Sequence, residues 1–443
     1  MKAQKTETGS TTFFQRLMTS GSFASNVATL SLGTSIGQLS IILSAPLLAR
    51  LFTAKDFGEL QYILSIALIL GGVSTLRYEM ALPLVNSHRN AVNLLVLALG
   101  LAFITALCIS LLFYLDLHVM KQFFKSITEH KLLFFIPIIL LLEAANSTFS
   151  YWFTGVKNFK VPSVARSIFG IGSSTMQLSI AFMGLINGFG LLIGYVLGQF
   201  SSVVWYVYKF FRSGKGIAPG IVSISAIKEQ ARLHINFPLY SSWNMLLNTV
   251  ARNLPPILLV SYFSVAEAGY FAIGIRLLNI PLNTLGTAVS QVYYQQIANY
   301  REIGKPMMPL LISTVVKLSV IIVIPLCLIF LWGEQLFGLV FGESWVIAGR
   351  LASIMVPYYF MRFISSPIST VFAVMGKQYL SLIWQAFYTL GTFASFYLTR
   401  NSMDFSRTIQ IYSLTGASLF FILFLMIVTL TGKADKNLHL DLG

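Results

Sequence analysis

The stretches LARLFTAKDFGELQ (residues 48–61) and LVSYFSVAEAGYFA (residues 259–272) align without a gap and decide how the chain is organised. Each is a short turn between a first and a second apolar segment. The matching positions are Phe52 and Phe263, Asp56 and Glu267, and Gly58 and Gly269. KNF (157–159) and KQY (377–379) occupy a second pair of equivalent turns. The chain is therefore predicted to contain a parallel repeat, an arrangement that places a substrate path between the two copies.

Composition places these segments in a membrane. Of the 443 residues, 56% are apolar and only 10% are charged, whereas soluble domains carry about 25% charged residues. Apolar runs of roughly 20 residues, long enough to cross hydrocarbon as helix, recur along the chain. We therefore predict an all-α integral membrane protein with about 12 transmembrane helices. The predicted spans are 25–49, 57–81, 90–114, 132–155, 162–184, 189–211, 236–263, 266–292, 310–333, 348–372, 378–400 and 407–431.

The longest connection on the N-terminal side, residues 212–235, is basic and divides the spans into two sets of six. We predict an N-terminal lobe (1–211), a cytoplasmic basic linker (212–235) and a C-terminal lobe (236–443). Lys and Arg are more frequent in the loops on the side of the N-terminus, which predicts that both termini are cytoplasmic. The linker is either a tether at the lipid headgroups or a binding site for a partner. The polar N-terminus leads into a full-length span, so we expect no cleaved signal peptide.

Several classes of function lack their sequence signals. The net charge of +15 is scattered over short loops, and no nucleic-acid-binding module is recognisable. FRSGKG (211–216) lacks the first glycine and the hydroxyl residue of a phosphate-binding loop, which argues against ATP-driven transport. The histidines are dispersed, and Cys108 and Cys327 sit singly in apolar runs. We therefore expect no catalytic residue, no metal site, no cofactor and no nucleic-acid partner.

Arginines inside predicted spans are the most informative residues, because a charge at mid-bilayer costs at least about 2.5–3.5 kcal/mol. Arg252 and Arg276 lie near the middle of their spans, and each belongs to a polar stripe at helical spacing. The two stripes are Asn236, Tyr240, Asn244, Asn248 and Arg252, and Arg276, Asn279, Asn283 and Ser290. Lipid would leave their donors unsatisfied, so such stripes face a protein interior or a wet cavity.

The sign of the intramembrane charges indicates the ligand. The charged residues within or near spans are Arg77, Arg166, Arg252, Arg276, Lys317 and Arg362, against Glu79 and Glu143. A cavity with this balance attracts an anion, and the fork of arginine suits phosphate oxygens. The substrate is therefore predicted to be negatively charged.

Structural alternatives exist for each charge. Arg77, Glu79, Lys317 and Arg166 lie close enough to an interface for snorkelling. Arg252 and Arg276 either line a cavity or make static contacts with a carboxylate or backbone carbonyls. The same two alternatives apply to Arg362. Glu143 either pairs with an arginine or binds a proton or sodium ion.

The turn RLFTAKDFGELQ (50–61), followed by LRYEMALPL (76–84), resembles the N-terminal signature of bacterial oligosaccharide flippases of the Wzx type. These belong to the multidrug/oligosaccharidyl-lipid/polysaccharide exporter superfamily. The opening NVATLSLGT (26–34) fits the same pattern. The resemblance implies two pseudo-symmetric six-helix lobes around a central cationic cavity and an alternating-access cycle. It also implies transport of undecaprenyl-diphosphate-linked sugar units across the bacterial inner membrane for O-antigen, capsule or exopolysaccharide assembly.

Under this hypothesis the residues take three roles. Diphosphate would bind to Arg252, Arg276, Arg362 and Arg77. Sugars and the polar cavity would involve Asn244, Asn248, Asn279, Asn283, Tyr240, Trp243 and Tyr358, although packing is an alternative for the aromatic residues. Glu143 and Glu79 are candidates for coupling to H⁺ or Na⁺. The implied partners are the lipid-linked oligosaccharide, membrane lipids, and the polysaccharide polymerase and chain-length machinery.

Two other functions remain open. The first is a cation-coupled multidrug antiporter of the same superfamily, which the sign of the charges disfavours. The second is a non-transporting membrane component of glycan assembly, such as a polymerase or ligase. The longest loop opposite the termini, about residues 115–131, is short for an enzyme of that kind.

Overall fold

The computed structural model describes residues 23–115, 130–213, 220–401 and 404–441, and every long element in it is a helix. The helices are α1 (Phe23–Leu51), α2 (Ala54–Ser74), α3 (His88–Tyr114), α4 (Phe135–Gly155), α5 (Lys160–Phe182), α6 (Gly188–Arg212), α7 (Ile224–Leu233), α8 (Ser242–Tyr262), α9 (Val265–Pro281), α10 (Thr287–Glu302), α11 (Met308–Phe341), α12 (Val346–Ile368), α13 (Val371–Val374), α14 (Gln378–Thr399) and α15 (Phe405–Asp441). The predicted all-α class is confirmed.

Seven helices among the described residues are long and apolar enough to cross a membrane: Leu32–Leu51 within α1, α2, α3, Lys131–Gly155 around α4, α6, α11, and Phe405–Lys436 within α15. The other predicted spans coincide with α5, α8, α9 with α10, α12 and α14. The polar stripes through Arg252 and Arg276 lower the mean hydropathy of α8 and α9. The chain is a multi-pass membrane protein.

Two predicted spans are altered in the structure by a local break in the helix. The span 57–81 ends at Ser74, because Leu76 and Arg77 take positive φ angles of 49° and 62° that no α-helix accommodates. The span 266–292 continues as helix to Glu302, with a π-helical turn at Leu282–Gly286 directly after Pro281. Proline has no backbone N–H to donate, which accounts for the break in the helical ladder.

The two aligned turns begin their following helices in the same way. The side chain of Thr53 accepts a hydrogen bond from the backbone N–H of Asp56, whose carboxylate accepts one in return from the N–H of Thr53. In the second copy, the side chain of Ser264 accepts from the N–H of Glu267. Both turns are therefore capping sequences that fix the start of α2 and α9.

α2 and α9 pack against each other through the aligned glycines. A Cβ atom added at Gly58 would overlap the carbonyl oxygen of Val265, and one added at Gly269 would overlap the carbonyl oxygen of Ala54. In the alignment Gly58 corresponds to Gly269 and Ala54 to Val265, so the contact is reciprocal, as a two-fold relation between the repeats requires. Only glycine permits this approach of one backbone to the other.

The same end of the bundle is held by a tryptophan. The indole Nε1 of Trp345 donates to the carbonyl oxygen of Ala49 at 2.7 Å, and its ring packs edge-on against Phe57 with centroids 5.4 Å apart. Trp345 itself is buried. The end near residues 49–58 is therefore closed by contacts between the first and second parts of the chain.

At the opposite end, the short helix α7 lies on α3. The amide of Asn93 donates to the carbonyl oxygen of Ile221 at 3.0 Å, and its oxygen accepts from the N–H of Ser223 at 3.1 Å. The hydroxyl of Tyr78 donates to the carbonyl oxygen of Ala231. The described part of the linker is thus bound to the first set of helices. The division into lobes at 212–235 stays a prediction.

We predict that the double variant Gly58→Ala, Gly269→Ala is less stable than the native protein. Each added methyl group forces α2 and α9 apart, and overpacking of this kind costs about 1–3 kcal/mol. Thermal unfolding of the purified protein in detergent measures the effect.

The matched control is Gly100→Ala in α3, where no atom lies within 4 Å of the added Cβ. Its midpoint should be unchanged or slightly higher, since alanine favours helix over glycine by about 0.5–1 kcal/mol. Equal midpoints for the double variant and this control would contradict the glycine contact.

Candidate functional site

A cavity of about 500 Å³ lies where the two parts of the chain meet. Its walls come from α1, α2, α5 and α6 on one side and from α8, α9, α12, α14 and α15 on the other. Arg252, Arg276 and Arg362 all line it, and we call it the arginine cavity. The structure thus brings together two arginines from the consecutive helices α8 and α9 and a third from α12.

Arg252 and Arg276 have no partner among the residues that the structure describes. Arg252 is exposed to the cavity, and Arg276 is half-buried. Neither guanidinium forms a hydrogen bond or an ion pair with any residue that the structure describes. The alternative of static contacts with carbonyls or a carboxylate is therefore not what these residues do within the described part of the chain.

Arg362 is held by tyrosines. Its guanidinium donates to the hydroxyl of Tyr358 at 3.2 Å and lies 5.7 Å from the ring centroids of both Tyr358 and Tyr359. The Tyr358 hydroxyl is in turn 2.7 Å from that of Tyr388. These contacts fix the orientation of Arg362, so it contributes a stationary charge to the cavity wall.

The cavity is electropositive. Arg362 lies close enough to Arg252 for their charges to repel each other. No Asp or Glu lines the cavity among the residues that the structure describes. Uncompensated positive charges in surroundings of low dielectric constant attract anions strongly.

Other predicted residues occupy different places. Asn279 and Tyr358 line the arginine cavity, although Tyr358 is buried among aromatic rings, as the packing alternative requires. Tyr240, Asn244 and Asn248 do not line it but continue the Arg252 face toward the start of α8, where Tyr240 and Asn244 are exposed and Asn248 is half-buried. Trp243 does not line the cavity either; it is exposed, and helical spacing places it on the opposite face of α8 from Arg252. The side chain of Asn283 is outside the described residues.

Arg77 and Glu79 do not reach the arginine cavity. They form an ion pair at 3.0 Å, and the hydroxyl of Thr75 donates to Glu79 at 2.5 Å. Glu79 is buried, and Arg77 is largely buried. The predicted span 57–81 places Arg77 on a helix that continues to residue 81. The break after Ser74 instead turns Arg77 away from the helix face.

A second cavity of about 550 Å³ adjoins the first, and the two share Leu68, Phe169 and Tyr195 as wall residues. We call it the amide pocket because Asn146 and Gln199 organise it. Its other polar lining comes from Glu143, Ser147, Ser150, Tyr151, Thr154, Arg166, Ser202 and Tyr206.

The amides form an ordered chain of hydrogen bonds. Ser202 donates to the Asn146 oxygen at 2.7 Å, and the Asn146 amide donates to the Gln199 oxygen at 2.9 Å. The Gln199 amide then donates to Glu143 and to the hydroxyl of Tyr195, both at 3.1 Å. Glu143 therefore binds an amide and does not pair with an arginine among the described residues.

Arg166 lies on the wall of the amide pocket, where its guanidinium donates to the Thr34 hydroxyl at 2.9 Å. The sequence reasoning missed Tyr195, Gln199 and Ser202, which form a polar row on α6 at spacings of four and three. This helical spacing of polar side chains is the signal that identifies them, and it lies beside the glycines at 190–198. Gly194 and Gly198 do pack closely, against Gln177 and Ser173.

The pattern that defines a family of polysaccharide biosynthesis proteins matches residues 47–349. No curated protein matches the sequence.

Solved structures share the fold. An inward-facing multidrug resistance MATE family transporter of the MOP superfamily superimposes with a TM-score of 0.70 at 14% identity, over 93% of this chain and 99% of that one. An outward-facing structure of such a transporter gives 0.60 at 14% identity, over 92% and 96%. Lipid II flippase MurJ, in an inward closed conformation, gives 0.69 at 13% identity, over 93% and 90%.

We predict that Arg252→Met leaves the stability of the protein unchanged within about 0.5 kcal/mol or raises it. Arg252 has no described protein partner to lose, and its removal relieves repulsion from Arg362. Arg362→Met should instead lose about 1–3 kcal/mol, because a hydrogen bond and two cation–π contacts disappear. Thermal unfolding without ligand compares the two. An equal loss in Arg252→Met would reveal a protein partner for Arg252.

Proposed function

Because this chain belongs to the family of polysaccharide biosynthesis proteins, we propose that it is a flippase for undecaprenyl-diphosphate-linked oligosaccharide units. It would move them across the bacterial inner membrane by alternating access, for O-antigen, capsule or exopolysaccharide assembly. The observation that carries this proposal is the arginine cavity, with three arginines and no carboxylate among the lining residues described.

The state of each arginine matches a role with diphosphate. Arg252 and Arg276 are unpartnered among the described residues, so their donors are available to phosphate oxygens, which arginine binds in two-point contacts. Arg362, held by Tyr358, supplies a fixed charge beside them. Arg77, already paired with Glu79, takes no direct part in this arrangement.

The sealed end of the bundle and the polar face of α8 support a direction of entry for the substrate. The end near Gly58 and Trp345 is sealed. The face of α8 that carries Asn244 and Asn248 leads from Arg252 to the opposite end. The fold also superimposes better on the inward-facing transporter than on the outward-facing one. Substrate would enter along α8, and opening of the α2–α9 contact would release it on the other side.

The same proposal fixes the orientation in the membrane. The basic loops, the linker at 212–235 and both termini would be cytoplasmic. Polysaccharide polymerase and chain-length machinery would receive the product at the opposite face. Of the two candidates for coupling to H⁺ or Na⁺, Glu79 is disfavoured because Arg77 neutralises it.

A multidrug antiporter is the second candidate, and the fold shared with multidrug transporters favours it. A cavity for cationic drugs, however, requires negative charge, and the described lining of this one has none. The sign of the cavity therefore favours an anionic lipid as the substrate.

We predict that Arg252→Ala and Arg276→Ala each abolish surface polysaccharide, because each removes a donor set for the diphosphate, and that lipid-linked repeat units accumulate inside the cell. The measurement is polysaccharide display in cells whose own flippase gene is deleted, with membrane expression checked by blotting.

The control is Arg407→Ala, since Arg407 is exposed at the start of α15 and pairs only weakly with Asp404 at 3.8 Å. It should restore full display. Complementation by both cavity variants at the level of Arg407→Ala would remove the main support for the proposal.

A further inference from the structure

We propose that the amide pocket is the compartment that holds the saccharide while the arginine cavity holds the diphosphate. This inference rests on the proposed function, and it assigns a ligand class, a hydroxyl-bearing sugar ring, to a pocket beside the arginines. At about 550 Å³ the pocket lies within the usual range of ligand sites, about 300–1,000 Å³.

The two cavities adjoin each other at aromatic rings that line both. Phe169 and Tyr195 line both cavities and contact each other edge to face, with centroids 5.4 Å apart. A ligand with its charged end at Arg252 and Arg276 therefore passes these rings to place its uncharged end in the amide pocket. The rings offer apolar surface to the C–H face of a sugar.

The polar groups of the amide pocket suit a sugar better than a cation. A sugar hydroxyl donates one hydrogen bond and accepts others, so its site needs both donors and acceptors. Tyr195 accepts from Gln199 and keeps its own O–H to donate. Glu143 accepts from Gln199 through Oε2, which leaves Oε1 as an acceptor without a donor among the described residues.

A metal cation would meet less favourable groups. The oxygens of both amides are occupied, that of Asn146 by Ser202 and that of Gln199 by Asn146. One oxygen of Glu143 is engaged by an N–H, and the positive charge of Arg166 lines the same pocket. Hard cations prefer several free oxygen ligands. The hydrogen-bond chain therefore orders the pocket for a neutral polar ligand.

Two groups without a described partner give the pocket selectivity. Each N–H of Asn146 and Gln199 has a partner, so the amides are fixed before a ligand arrives and hold Tyr195 and Glu143 in place. A site built to hydrogen-bond a hydroxyl discriminates strongly against ligands that lack it, because its polar groups, here the Tyr195 O–H and Glu143 Oε1, are then left without a partner among the described residues. The amide pocket would thus distinguish lipid diphosphates that carry sugar from those that do not.

Photo-crosslinking with the cell's own substrate tests this assignment. A benzoylphenylalanine is placed at Ser147 in the amide pocket, at Asn253 in the arginine cavity, or at Ile138 on the exposed face of α4. After irradiation, mild acid breaks the sugar–phosphate bond, and mass spectrometry identifies what remains attached to each position. We expect saccharide on 147, lipid phosphate on 253, and only membrane phospholipid on 138.

The outcomes distinguish failure of the saccharide assignment from failure of the proposed flippase function. An adduct of the lipid-linked saccharide at 253 without one at 147 overturns the saccharide compartment and leaves the flippase intact. Adducts at neither position overturn both. Lipid phosphate on 147 after acid treatment reverses the orientation and also overturns the inference.

A second variant avoids dependence on the crosslinker. Ser147→Phe fills the amide pocket without removing any hydrogen bond of the Asn146–Gln199 chain. It should lower polysaccharide display at least tenfold relative to Ile138→Phe, the same substitution on the exposed face of α4. Equal display by the two variants contradicts the proposal. Loss of Na⁺ binding in Glu143→Gln, with no saccharide on position 147, would assign the pocket to a cation instead.

Discussion

Two guanidinium groups that have no partner among the described residues determine what the surrounding helices must enclose. A charge at mid-bilayer costs at least about 2.5–3.5 kcal/mol, and Arg252 and Arg276 recover none of this from a described carboxylate or carbonyl. The helices that carry them therefore have to border a space that holds water or an anion. That space is the arginine cavity, and its position between the first and second parts of the chain follows from the same requirement.

Arg362 is held in place by neighbouring side chains, whereas Arg252 and Arg276 have no described partner and are available to a ligand. Arg362 is bound by Tyr358 and stacked beside Tyr359, so its position is independent of any ligand. Arg252 next to it is surrounded by protein and is repelled by Arg362. An anion between the two guanidinium groups would offset this repulsion.

The sequence predicts those features of the protein that depend on local periodicity. The stripes through Arg252 and Arg276 follow helical spacing, and residues at this spacing lie on one face of a helix. Arg77 was misplaced because a left-handed turn breaks the helix before it, and nothing in the apolar run signals that break. The row containing Gln199 was overlooked because its significance lies in a contact with Asn146, 53 residues away. Periodicity within one helix does not predict such pairings between helices.

The attachment of α7 has a mechanical consequence. Asn93 and Tyr78 bind the linker to the first set of helices. The linker and these helices would therefore move as one unit. Rocking of one lobe against the other, in the mechanism proposed here, has to bend the chain in the few residues between α7 and α8. Those residues form the π-helical turn Phe237–Ser241, a loosely wound segment with Pro238 at its start. The pivot of the transport cycle would then be one turn of helix, and its stiffness would set how fast the cavity changes sides.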